Sequence, residues 1–324
     1  MTMGADRAIL DASENVQWLT GFRPHPLMRA VAVLAVDGDC MLVAPGVEPE
    51  HHAADAVRTF EAQWLCTLRQ DQLRAAMDHV PTSRQPTALE FSSFVLDVGE
   101  VSSGEPIDLD PAICSLRRRK DADELQMLRH AIDCTDAMYR AAREIIRPGI
   151  TELEVYNELH AAAVLAAGEP LTALGNDFQS NSPGGPPRNR PARAGELMIL
   201  DLGPAYRGYY ADNCRTFAVD CRPTDEQLRA REIIMTVFDL ARGFVCPGAS
   251  CRELFERAQG ALDEYLPGVF FHHLGHGIGL YPHEAPHLNP LWDDLFAEGD
   301  VFTVEPGLYG EELRAGIRIE ENFR

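Results

Sequence analysis

The chain is short of positive charge, of long apolar runs and of patterned cysteine. Its 324 residues carry 50 aspartates and glutamates against 29 lysines and arginines, a formal net charge of −21. Such a balance repels nucleic acid and anionic membranes, so neither is expected as a partner. No apolar stretch approaches the ~20 residues that span a bilayer. The opening MTMGADRAILDASENVQW has neither the basic segment nor the apolar stretch of a secretion signal. The eight cysteines are scattered, with no CxxC pair and no zinc-finger spacing. They read as reduced, mostly buried thiols of a cytoplasmic protein.

What is present fits a globular protein, with 45% hydrophobic and 24% charged residues, and the length suggests two domains. Residues 1–115 read as a small α/β domain. RAVAVLAV (29–36) and CMLVAP (40–45) are β-rich and joined through Asp37-Gly38-Asp39 as a hairpin. The segment from His52 to Leu73 has helical texture, and TALEF (87–91) reads as a further strand. A basic stretch, SLRRRKDADE (115–124), marks the boundary of a second domain, 116–324.

That second domain repeats one punctuation twice. Asp121 with Glu124 forms a capping box for a helix that stops at Pro148-Gly149, and Thr151 with Glu154 opens another ending near Gly168. Thr224 with Gln227 caps a helix to about Arg242, and Ser250 with Glu253 caps the next, after Pro247-Gly248. Each helix pair is followed by strand-like segments bearing acids. The pattern implies an α+β architecture of two similar halves around one site.

Five residues in those segments can hold metal: Asp201, Asp212, His276, Glu305 and Glu320. Each lies in a short apolar and glycine-rich run, where a buried acid is costly unless a cation offsets it. Asp201 ends the run LMILDLG, and Asp212 follows a turn at Ala205–Gly208, so a hairpin can bring both carboxylates to one face. Glu305 and Glu320 finish VFTVE and GIRIE, and the glycines beside His276 leave its ring unobstructed. Four carboxylates around one dication would repel each other, so two ions are expected. The oxygen-rich set favours Mn²⁺, Fe²⁺ or Co²⁺ over a structural zinc site.

The motifs DLG…DNCRT, GHGIGL…HE, VEPG and GIRIE together resemble the pita-bread metallopeptidases, which include prolidase, aminopeptidase P and methionine aminopeptidase. NVQWLTGF (15–22) is similar to the start of the amino-terminal domain in the prolidase branch. The resemblance implies a small creatinase/prolidase-like α/β domain ahead of a duplicated α+β pita-bread domain, often in a homodimer. It implies that Asp201 binds one ion, that His276 and Glu305 bind the other, and that Asp212 and Glu320 are shared. Glu305 would also move protons. His272 and His283 would orient the substrate and stabilise the oxyanion, and Arg318 would support a ligand carboxylate or a substrate group. His273 and His287 receive no role. The implied cofactor is a pair of divalent ions, Mn²⁺ first, with Co²⁺, Fe²⁺ or Zn²⁺ as alternatives.

Two departures stand out. Family members carry a substrate-contacting histidine seventeen residues before the first aspartate. That position is Gly184 here, and no histidine lies between His160 and His272. Family members also continue beyond the position equivalent to Arg324. The expected activity is therefore an Xaa-Pro dipeptidase or aminopeptidase. The alternatives are the same site acting on a non-peptide amide or other small metabolite, and a non-catalytic binding protein on the same fold.

Overall fold

The computed structural model describes residues 4–62, 68–93, 104–175 and 177–324. The chain divides into two compact units, Met1–Leu116 and Arg117–Arg324. The first is a six-stranded sheet in the order β4-β3-β2-β1-β5-β6. Its strands are β1 (Arg7–Leu10), β2 (Val31–Ala35), β3 (Cys40–Pro45), β4 (Ala56–Phe60), β5 (Thr87–Leu89) and β6 (Ile107–Asp108). Strict alternation gives the sheet two apolar faces. Val31, Val33 and Val43 pack with Leu73, Ala76 and Met77 of α2 (Arg69–Met77). Ala32, Leu42 and Ala44 turn the other way, onto Val16 of α1 (Ser13–Thr20) and Ile113 of α3 (Asp110–Arg118).

One expectation holds in this unit only at its end, where α2 begins at Arg69. The helical segment expected over 52–73 contains β4, a strand parallel to β3 with Met41 opposite Ala56 and Val43 opposite Arg58. Val57, Thr59 and Phe60 supply β-forming side chains, and pairing to β3 outweighs the alanine-rich local preference. Residues 63–67, within the same expectation, lie outside the described residues, as does Cys66. Of the described cysteines, Cys40, Cys134, Cys214 and Cys251 are buried and Cys114, Cys221 and Cys246 are exposed.

The second unit begins with α4 (Ala122–Ile145) and α5 (Glu152–Ala167). Both open on reciprocal capping boxes, Asp121 with Glu124 and Thr151 with Glu154, and α5 closes on Gly168 at φ 71°. The pair packs on the antiparallel sheet β11-β8-β7, made of β7 (Asp177–Ser180), β8 (Leu197–Leu202) and β11 (Asn213–Ala218). Between β8 and β11 a small hairpin, β9 (Ala205–Tyr206) with β10 (Tyr209–Tyr210), turns at Arg207 and Gly208, both at positive φ.

The second half repeats the plan. Helices α6 (Asp225–Phe244) and α7 (Cys251–Asp263) follow, α6 with a full capping box. Ser250 caps α7, while the Glu253 side chain pairs forward with Arg257. These helices cover β12 (Gly275–Gly277), β13 (Glu284–Leu288), β14 (Phe302–Val304) and β17 (Glu321–Phe323), with β15 (Gly307–Gly310) pairing β16 (Ala315–Arg318). Glu320 N–H donates to the Cys214 carbonyl at 3.0 Å, and Thr216 Oγ1 donates to the Arg318 carbonyl at 3.0 Å. Those bonds bring the strand ends of both halves together. Among the described residues, no helix is long and apolar enough to cross a membrane.

Candidate metal centre

The five residues expected to hold metal converge where the two sheets meet. Asp201 lies in β8, Asp212 precedes β11, His276 is in β12, Glu305 follows β14 and Glu320 lies between β16 and β17. Ligand atoms of Asp201, Asp212 and Glu320 lie within 4.8 Å of one another, as do those of His276, Glu305 and Glu320. Glu320 belongs to both groups. The residues line a cavity of about 430 Å³ together with Asp177, Gly184, Gly185, Phe271, His272, His273, His283, Tyr309 and Arg318.

Hydrogen bonding fixes the imidazole of His276. Its Nδ1 lies 3.0 Å from the Gly277 carbonyl, which can only accept, so Nδ1 carries the proton. Burial drives the ring's pKa down to about 3 and keeps it neutral. The Nε2 lone pair then faces Asp212 Oδ2 and Glu305 Oε1, each at 3.6 Å. An imidazole lone pair turned toward two carboxylate oxygens suits a cation between them.

Glu320 makes the same point more strongly. Its residue is 1% exposed, and neither carboxylate oxygen has a hydrogen-bond partner. Burial, with the charges of Asp212, Asp201 and Glu305, holds its carboxyl well above the usual range. Asp212 is raised for the same reasons. Asp201 is raised by burial, against the pull of Arg318. Burial also opposes the charge of Glu305, but the imidazoles of His273, His276 and His272 bring its carboxyl down to about 2. Divalent ions would offset the cost of all four acids, so the donor set fits the expected group.

The flanking residues form a second layer. His272 donates from Nδ1 to the His273 carbonyl at 2.8 Å and accepts at Nε2 from the Tyr309 hydroxyl at 2.8 Å. Burial lowers its pKa to about 4. His283 stacks on His276, ring centroids 3.8 Å apart at 19°, with a ring nitrogen within 4.8 Å of ligand atoms on Asp212 and His276. Arg318 donates to Asp201 Oδ2 at 2.7 Å, to Asp177 and to the Tyr309 oxygen at 3.2 Å.

Asp177, Tyr309 and His273 have no place in the sequence reading. Asp177 sits opposite Asp201 in the β7–β8 register, so both carboxylates share one sheet face and one arginine. His273, expected to have no role, puts Nδ1 3.2 Å from Glu305 Oε1. His287 stacks on Trp292. A third histidine in HHLGH and the tyrosine after VEPGL were the available signals.

Comparison with known proteins follows the same lines. A family model, metallopeptidase family M24, matches residues 126–324. An uncharacterized peptidase of Staphylococcus aureus strain MW2 is 29% identical over 98% of this chain and 92% of its own length. The prolidase from Pyrococcus furiosus superposes with a TM-score of 0.82 at 25% identity, covering 98% of this chain and 93% of that one. The Xaa-Pro dipeptidase from Bacillus anthracis gives a TM-score of 0.80 at 24% identity, over 99% and 90% of the two chains, and shows the shared fold.

Proposed function

The chain belongs to metallopeptidase family M24 and is a metal-dependent hydrolase of pita-bread fold, and on that premise we propose that it cleaves Xaa-Pro bonds at peptide amino termini using two divalent ions. The observation carrying this reading is Glu320, a buried carboxylate shared by two ligand groups with no donor on either oxygen. When bound, two divalent ions supply Lewis acidity and lower the pKa of water from ~16 toward ~7.

Asp201 would hold one ion and His276 and Glu305 the other, with Asp212 and Glu320 contributing to both. Mn²⁺ suits this oxygen-rich set. Arg318 fixes Asp201 from behind. Glu305 carries the proton from the attacking water to the departing nitrogen. His283 faces the scissile carbonyl and steadies its developing charge, and the His272–Tyr309 pair lines the cavity beside it. Phe271, 67% exposed with its ring 4.8 Å from Tyr309, gives the cavity an aromatic wall against which a pyrrolidine ring can pack. Residues 1–115 serve as a creatinase/prolidase-like amino-terminal domain. The scattered cysteines, without patterned spacing, support a cytoplasmic setting, and the sequence resemblance supports a homodimer.

The test is hydrolysis of a panel of Xaa-Pro dipeptides and tripeptides by manganese-loaded protein. Turnover of none sinks the reading.

The glycine at 184 favours a second reading, the same centre acting on a non-peptide amide. Gly184 has φ +147°, and a Cβ there would lie 2.4 Å from Asp177 Oδ2. A histidine therefore has no room while Asp177 stays, and Gly185 N–H is already taken by Asp177 Oδ1 at 2.7 Å. Hydrolysis of small amides with a silent peptide panel would favour this alternative.

A further inference from the structure

The chain contains one lysine among its 29 basic residues, Lys120, and its side chain is only 1% exposed. Its Nζ donates to Glu284 Oε2 at 3.0 Å. Glu284 Oε1 accepts from the Arg117 guanidinium and from Tyr281 N–H, the latter at 3.0 Å. The Arg117 and Glu284 side chains are 10% and 9% exposed. Arg118 does the same one step further on, gripping Asp300 at 2.9 and 2.6 Å and Asp294 at 2.9 Å. The basic run that reads as a boundary in the sequence is thus turned inward, onto the segment between Tyr281 and Asp300.

Three charges are taken out of water around Glu284. Buried ion clusters rarely gain stability over apolar groups of the same shape, so stability alone does not account for them. They do fix geometry. Gly279 lies flat on the Glu284 carboxylate, where a Cβ would sit 2.7 and 2.8 Å from its two oxygens. The Gly279 carbonyl accepts from Tyr210 N–H at 2.8 Å. The turn from Gly279 to Glu284 is therefore wound round its own carboxylate and tied at both ends. His283 emerges from that turn directly onto the ring of His276.

We propose that Glu284, clamped by Lys120 and Arg117, is a positioning residue that sets the ring of His283 over the reaction centre and acts on turnover through that ring alone. The proposal rests on His283 as a substrate-facing group. Kinetics of Glu284→Gln, His283→Ala and the double variant in the manganese-loaded full chain test it, with an Xaa-Pro substrate. A displacement of about 1 Å can cost on the order of 10²-fold, so Glu284→Gln should lower kcat by about 10- to 100-fold. In the His283→Ala background the same change should alter kcat by less than about twofold. Equal factors in both backgrounds, or no loss in the first, overturn the clamp. Lys120→Met, which leaves Arg117 on Glu284, runs the same cycle if Glu284→Gln does not fold.

A readout without turnover separates this from the peptidase reading. In protein labelled with [15N]histidine, the imidazole signal missing from His283→Ala belongs to His283. It should shift in Glu284→Gln, and an unmoved signal overturns the proposal. A shifted signal in a protein that hydrolyses no peptide would reject the peptidase reading and support the clamp.

Discussion

Glu90 and Glu320 are glutamates with 0% and 1% exposure, one in each unit, and they meet burial in opposite ways. Glu90 accepts the backbone N–H of Asp11 and of Ala12, the second at 3.0 Å, and the side-chain amide of Asn15. Asp11 is paired in turn with Arg29. Glu320 has no donor on either oxygen, and its titrating neighbours include three more carboxylates. A buried acid is thus not a site in itself. A buried acid that the protein has left without partners is one, because only a ligand from outside can complete it.

The sharpest way to break that contrast is activity. Glu320→Gln should lower kcat/KM by more than about 10²-fold, since even partners of ligands cost 10- to 100-fold, whereas Glu90→Gln should stay within about twofold. Metal content by elemental analysis should fall in the first variant and hold in the second. Loss of activity from both would erase the distinction.

The pH dependence of stability sharpens it next. Burial pushes the Glu90 carboxyl up to about 7, against its three hydrogen bonds, from an ordinary 4.5. A raised value in the folded state means the contribution is complete below pH 4.5 and is lost as pH rises through about 7. Wild type should therefore lose on the order of 3 kcal/mol relative to Glu90→Gln across that window, read from urea midpoints. Parallel pH curves for the two proteins would refute the assignment.

Apolar replacement should then reverse sign between the two sites. Glu90→Leu strands buried donors and should cost about 1–3 kcal/mol. Glu320→Leu removes an unpartnered carboxyl and should raise the melting temperature of metal-free protein. The same substitution should abolish the gain wild type makes on adding Mn²⁺, about 2.7 kcal/mol at a hundredfold excess over Kd. A destabilised metal-free Glu320→Leu would mean that the carboxylate has partners after all.

The difference between local and non-local signals decides what could be read from the chain. Asp201, Asp212, His276, Glu305 and Glu320 were legible because each sits in its own short motif, and the capping boxes of α4, α5 and α6 because they span four residues. Asp177 was not, since its role arises only from standing opposite Asp201 across two strands. The basic run at 117–120 read only as a domain boundary, since nothing local marks its partners. Its partners, Glu284, Asp294 and Asp300, lie more than 160 residues away. β4 was misread for the same reason: its strand character comes from pairing with β3.

Asp177 supplies the finest test, because it is an acid in the cavity that behaves like Glu90. Its oxygens are taken by Gly185 N–H and by Arg318, which it shares with Asp201. It should therefore not be a ligand. Asp177→Asn should leave two ions bound per chain and weaken their affinity by only about tenfold, through a less firmly held Arg318 and Asp201. Isothermal titration with Mn²⁺ measures both quantities at once. A fall to one ion per chain would place Asp177 among the ligands and join it to Glu320. Unchanged affinity would show that Asp201 keeps its orientation without the shared arginine, leaving Asp177 as a wall of the cavity and a brace for the glycines at 184 and 185.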